Sequence, residues 1–212
     1  MKKFRLVLGV LTLLLITVVV PALADAPIEG RIGRAELRFM EGMSDHHQMA
    51  IDMANDCLAR TDISEALRSE CQMIIDSQQP EIEQMQAWLL AWYNVDYAVM
   101  PMSEMMSMMG DDMGGMDHSG MDMSGMPATD PAMMMGMFAG FNRFEGTEYE
   151  MAWLEAMIDH HDDAIHMAQR FLDGDTESVA HAELRELAQN IIVSQTEEIA
   201  RYEEMLTAMN VE

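Results

Sequence analysis

Two pairs of adjacent histidines, His46-His47 and His160-His161, stand in closely similar surroundings in this chain of 212 residues. Each pair has one methionine three residues before its first histidine and another seven after it. These are Met43 and Met53 in the first case, Met157 and Met167 in the second. Imidazole nitrogen and thioether sulfur together suit a soft ion. Copper fits best, above all Cu(I), with Cu(II) held through imidazole alone. Thioethers also survive as ligands where free thiols are lost to disulfides. One such pair alone would read as core histidines bonded to their neighbours; its recurrence with the same methionines points to ligation.

A second constellation lies between the pairs. From Met100 to Met137, fifteen of 38 residues are methionine. At the centre is Met116-Asp117-His118-Ser119-Gly120-Met121-Asp122-Met123-Ser124-Gly125-Met126. Methionine usually fills gaps in a core. Here Gly, Ser and Asp interleave with it and leave no periodic face to bury, so Met116, His118, Met121, Met123 and Met126 are candidate soft-metal ligands.

The elements that would position the histidines repeat with them. Phe39–Ala54 reappears as Trp153–Ala168 at an offset of 114, and Ile74–Ile82 as Ile191–Ile199 at an offset of 117. In the first block Phe39, Met43, His46, Ala50, Met53 and Cys57 recur at helical spacing. In its partner Leu67, Cys71, Ile74, Gln78, Ile82, Met85 and Leu89 do the same. Each repeat therefore reads as a helical hairpin, over 35–59 with 63–93 and over 147–172 with 177–209. Thr61-Asp62 with Glu65 offers a capping box for the second helix, and Pro80 predicts a local kink within it. Two hairpins can bury their apolar stripes against each other only by pairing. The expected fold is all-α: an antiparallel four-helix bundle from two duplicated hairpins, 35–93 and 147–210, joined by a Met-rich linker, 94–146. Gln78 and Glu81, copied as Gln195 and Glu198, lie one turn apart on an apolar stripe at about the height of the histidines. A buried carboxylate needs a partner, and orienting the imidazoles by hydrogen bonds is the simplest role for them.

The N-terminus bounds the compartment. Lys2, Lys3 and Arg5 precede the apolar run Leu6–Val20, and Ala22-Leu23-Ala24 supplies a small-x-small cleavage pattern. Residues 1–24 read as a signal peptide, leaving 25–212 as a single domain that is periplasmic or secreted. No later segment is apolar enough to span a membrane. The formal net charge is −25, and losing the leader's three basic residues makes it more negative still. That charge repels nucleic acid and anionic lipid and gathers cations, although solubility alone would also explain it. Cys57 and Cys71 fall on either side of a helix turn, where export makes a disulfide plausible.

The pattern Met-x2-His-His-x3-Ile-x-Met-Ala, followed by a helix with Gln-x2-Glu-Ile, resembles the exported family catalogued as domain of unknown function 305. That family is a ferritin-like helical bundle, and some members are periplasmic copper-binding proteins associated with copper resistance. The resemblance spans nearly the whole mature chain, including Gly146-Thr147-Glu148-Tyr149. The chain departs from the family pattern after each His-His, with Gln48-Met49 and Asp162-Asp163, and His166 stands where the first half has Asp52. The resulting expectation is a non-enzymatic protein that sequesters or traffics copper in the periplasm, alongside other copper-handling proteins, and contributes to copper and silver tolerance. Two alternatives stand beside it. One is a ferritin-like metal-dependent oxidoreductase, disfavoured because the paired Glu-x2-His motifs of di-iron bundles are missing. The other is an acidic envelope interaction protein without metal.

Overall fold

A computed structural model describes residues 27–102, 104, 140–174 and 181–209. Residues 1–26, with the expected signal peptide, and most of the Met-rich segment, with Met116, His118, Met121, Met123 and Met126, lie outside them. Four long helices carry the fold: α1 (Gly30–Ala59), α2 (Glu65–Tyr93), α3 (Gly146–Asp173) and α4 (Ala182–Met209). A 3-10 turn, Phe141–Arg143, precedes α3. No described helix is long and apolar enough to cross a membrane.

α1 pairs with α2 and α3 with α4, and the hairpins meet through α1 and α3. Contacts between these two helices fix an antiparallel register. The Trp153 indole N–H donates to the Met53 carbonyl (3.1 Å), the His160 ring meets the His46 carbonyl (3.0 Å), and Phe39 stacks on Phe171 (4.4 Å). α4 reaches α2 through Arg201 and Glu70 (3.4 Å). The crossing of α1 over α3 falls at His46 and His160, where a pseudo-twofold axis exchanges the repeats.

Helix ends correct two details of the sequence reading. α2 begins at Ser64, not at Thr61-Asp62: the Ser64 hydroxyl accepts the Leu67 N–H (3.2 Å). Asp62 is occupied elsewhere. It pairs with Arg60 (3.0 Å) and accepts the Gly146 N–H (2.8 Å), which together bring its carboxyl down to about 2. α4 begins at Ala182, later than expected, and residues 177–180 lie outside the described set. α2 runs through Pro80 to Tyr93 and ends at Asn94, whose left-handed backbone (φ 55°) turns its own N–H and that of Val95 back onto Leu90 and Leu89.

Cys57 and Cys71 form a disulfide between α1 and α2, so neither thiol is available to a metal. Closing a loop of this length is worth about 3 kcal/mol in the chain-entropy account. In the other hairpin Phe171 and Ala188 occupy the matching places, and apolar packing does the same job.

The linker's ends are not loose. Tyr97 donates its hydroxyl to Asp45 (2.6 Å), Met100 its N–H to Asp45 (3.1 Å), and Met102 its N–H to Asp52 (2.7 Å). Residues 94–102 are thus strapped along α1. At the other end the buried Phe141 packs edge-on to Tyr149.

Candidate metal centre

Along α1, Phe39, Met40 and Met43 belong to one apolar cluster, and Met49 to Cys57 to another. Along α3, Tyr149 to Met157 belong to the second of these and Ala164 to Phe171 to the first. All four histidines lie between the two clusters, forming a polar layer across the middle of the bundle. Helical spacing dictates this. His46 and His160 face each other across the α1–α3 contact, and their neighbours, turned about 100° further round, face α2 and α4.

The layer is dry. His47, His160 and His161 are fully buried and His46 is 7% exposed. The His46 and His160 rings lie against each other, centroids 3.7 Å apart and tilted by 36°. Every ring uses Nε2 in the same way, toward an oxygen. His47 Nε2 is 2.7 Å from Glu81, His161 Nε2 is 2.8 Å from Glu198, and His160 Nε2 is 3.0 Å from the His46 carbonyl. His46 Nε2 lies 3.5 Å from Asp163. A carboxylate or carbonyl only accepts, so Nε2 of His47, His160 and His161 carries the proton and donates. Whenever such a ring is neutral, Nδ1 is then left with a free lone pair. Nδ1 of all four histidines is buried and has no hydrogen-bond partner.

Burial sets the charge state at the crossing. It holds His160 well below the usual imidazole range, reinforced by the neighbouring rings of His46, His161 and His47. Burial also lowers His46, although Asp163 pulls the other way. Both rings therefore stay neutral near neutrality, as a ligand must.

The amides complete the layer. Gln78 is 2% exposed, with neither Oε1 nor Nε2 bonded, and Gln195 is equally buried with an unpartnered Oε1. Orphaned polar groups in a core are costly, and several in one layer mark a place built for something besides packing. Met43 and Met157 are fully buried one turn from His46 and His160. Met53, also buried, and Met167, half-buried, lie seven residues beyond the histidines, about 10 Å along their helices; the structure does not bring them to the rings. Among the described residues no three His, Cys, Asp or Glu side chains converge on one point. An ion held here would draw on imidazole pairs completed by the thioethers of Met43 and Met157 or by the glutamine amides.

Three features escaped the sequence reading. Asp163 stands beside His46, and its departure from Met49 in the repeat was the available signal. Asp45 and Asp52 hold the strap; nothing in one sequence marks an acidic residue on a half-exposed face as an anchor. His181, buried on Trp92 (3.8 Å, nearly parallel), bonds Glu36 through both its backbone N–H and Nδ1 (2.7 Å each), and the Tyr93 hydroxyl meets the same carboxylate.

Similar structures are known. CopM in its Cu(II)-bound form is 29% identical, with 82% of this chain and 96% of that one aligned and a TM-score of 0.56. CopM is also known in Cu(I)-bound and Ag-bound forms. A DUF305 fragment from Deinococcus radiodurans is 28% identical over 82% of this chain and 96% of its own, with a TM-score of 0.58. A DUF305 protein from Streptomyces coelicolor is 26% identical over 83% and 92%, with a TM-score of 0.60. No curated protein matches the sequence. The profile of the family described as domain of unknown function (DUF305) matches residues 36–206, and with the helical relatives above this places the chain in the DUF305 family.

Proposed function

We propose that this protein binds copper outside the cytoplasm, sequestering or passing it on, and so contributes to copper and silver tolerance. One observation carries the reading: four buried imidazoles with Nε2 turned to oxygen acceptors and Nδ1 left free. Glu81 and Glu198 hold their rings in one orientation and one tautomer and raise the basicity of Nδ1. Imidazole nitrogen and thioether sulfur donors in a buried layer favour Cu(I) over hard ions. Cu(II) would rely on imidazole. CopM, of the same fold, has Cu(I), Cu(II) and silver forms, and that likeness supports copper as the cargo. The leader at 1–24 supports export to the periplasm or beyond. The linker, 94–146, would gather ions through Met116, His118, Met121, Met123 and Met126. A binding role fits better than a di-metal oxidase, because Glu81 and Glu198 are already spent on imidazoles.

Anaerobic native mass spectrometry of the mature protein with Cu(I), Cu(II) and Zn(II) tests this. Copper should be retained in preference to zinc. Replacing His46, His47, His160 and His161 together by Ala should remove the tightest equivalents. Because that variant risks misfolding, the near-isosteric pair Glu81→Gln and Glu198→Gln is the companion. With the helix signal intact, it should weaken copper by about 10- to 100-fold. Zinc preferred over copper would overturn the assignment.

A further inference from the structure

We propose that Met49, Met53 and Met102 form a separate, all-thioether site for a soft monovalent cation, Cu(I) or Ag(I), where the strap meets α1. The proposal rests on the soft-ion reading above but uses none of the histidines. The three side chains are 6%, 2% and 2% exposed and lie in one cluster. Met49 and Met53 are one turn apart on α1. Met102 belongs to the same cluster, and Asp52, between the two in sequence, accepts its N–H at 2.7 Å.

Core filling is the ordinary use of methionine, and two observations go beyond it. First, the strap is positioned by polar bonds. Asp45 takes the Tyr97 hydroxyl and the Met100 N–H, and Asp52 takes the Met102 N–H and the Gln48 amide (2.9 Å). A filler residue needs no such anchoring, whereas a ligand must be held in place. Second, the anchor supplies charge. Thioethers are neutral, so an all-thioether site leaves a buried positive charge that needs an anion nearby. Asp52 provides it within one residue of Met53. The pseudo-twofold copy has neither device: Met49 is matched by Asp163 and Asp52 by His166. The site therefore belongs to one repeat, at the point where the chain enters its methionine-rich stretch.

The test is methyl NMR on full-length mature protein carrying 13C-methyl methionine, titrated with Ag(I). Single Met→Leu variants assign the signals. The methyls of Met49, Met53 and Met102 should shift together at one equivalence point and ignore Zn(II). Asp52→Asn should weaken that step by about 10- to 100-fold while the Met43 and Met157 signals respond as before. If the three methyls stay unmoved while Met43 and Met157 shift, the strap site is refuted and the histidine centre stands. If the three move together, whether or not Met43 and Met157 respond, the strap site stands, and the histidine centre is judged separately by whether the His46, His47, His160 and His161 to Ala variant loses bound Ag(I).

Discussion

The crossing pair His46 and His160 ties the centre's chemistry to the stability of the metal-free protein. Burial is the first cause of both depressed values. In the unfolded chain these rings take up protons near the ordinary value of 6.5; in the folded chain they do so only at lower pH. The stability they contribute is therefore complete above 6.5. It is lost as pH falls from 6.5 toward the folded values, by up to about 1.4 kcal/mol per pH unit for each ring. Urea unfolding of metal-free protein should show the midpoint dropping between about pH 7 and pH 5, more steeply than for a His46→Asn/His160→Asn variant. Equal slopes in the two proteins would mean that the rings are not held neutral. At this scale much of the site was legible. The His pairs and the Gln–Glu pairs repeat, and repetition separates chosen residues from incidental ones. Asp163, Asp45 and Asp52 act across elements, and a single sequence does not say which acid meets which neighbour.

Helix existence followed from apolar period, while helix ends followed from contacts between hairpins. Glu36 and Glu150 show why. They are copies at the repeat offset, and each reaches from the first helix of its hairpin to the N-cap of the other hairpin's second helix. Glu150 accepts the Ser64 N–H (2.6 Å) and hydroxyl (2.8 Å), while Glu36 accepts the His181 N–H and ring. Ser64 and His181 are likewise matched positions. This reciprocal capping moved the start of α2 from Asp62 to Ser64, and no local capping rule contains it. The two copies differ at the capped residue: Glu36 and Glu150 are both buried, but Ser64 is exposed whereas His181 is buried. Water can replace Glu150 at Ser64 but not Glu36 at His181 and Tyr93. A bond to a charged group is worth about 1.5–3 kcal/mol, and stranding its buried partners costs more. Glu36→Ala should therefore lower the melting temperature by clearly more than Glu150→Ala, as differential scanning calorimetry would show. Equal losses would place the capping value in the helix ends alone rather than in burial.

Taken whole, the molecule is an apolar bundle crossed by one polar layer and wrapped in negative charge. Asp and Glu total 37 against 12 Lys and Arg, a formal charge of −25. Few cations are left to neutralise the surface, and some of these are engaged locally, as Arg60 is with Asp62 and Arg201 with Glu70 and Glu198. Unneutralised like charge opposes the compact state, and it also draws cations toward the surface. Burial of the carboxyl of Asp159, next to Asp162 and Glu155, raises it above its ordinary value, a local sign of the same crowding. Salt acts on this repulsion because the screening length shrinks from about 30 Å at 0.01 M to about 10 Å at 0.1 M. That is shorter than the spacing across the molecule but longer than the buried His–Glu bonds. Adding salt should relieve the surface without touching the centre. Thermal melts of the metal-free protein from about 0.01 to about 0.3 M NaCl should rise steadily and level off once the screening length falls below the distance between neighbouring carboxylates. A melting temperature that falls with salt would mean that attractive ion pairs such as Arg60–Asp62 outweigh the repulsion, and that the surface charge is organised rather than merely abundant.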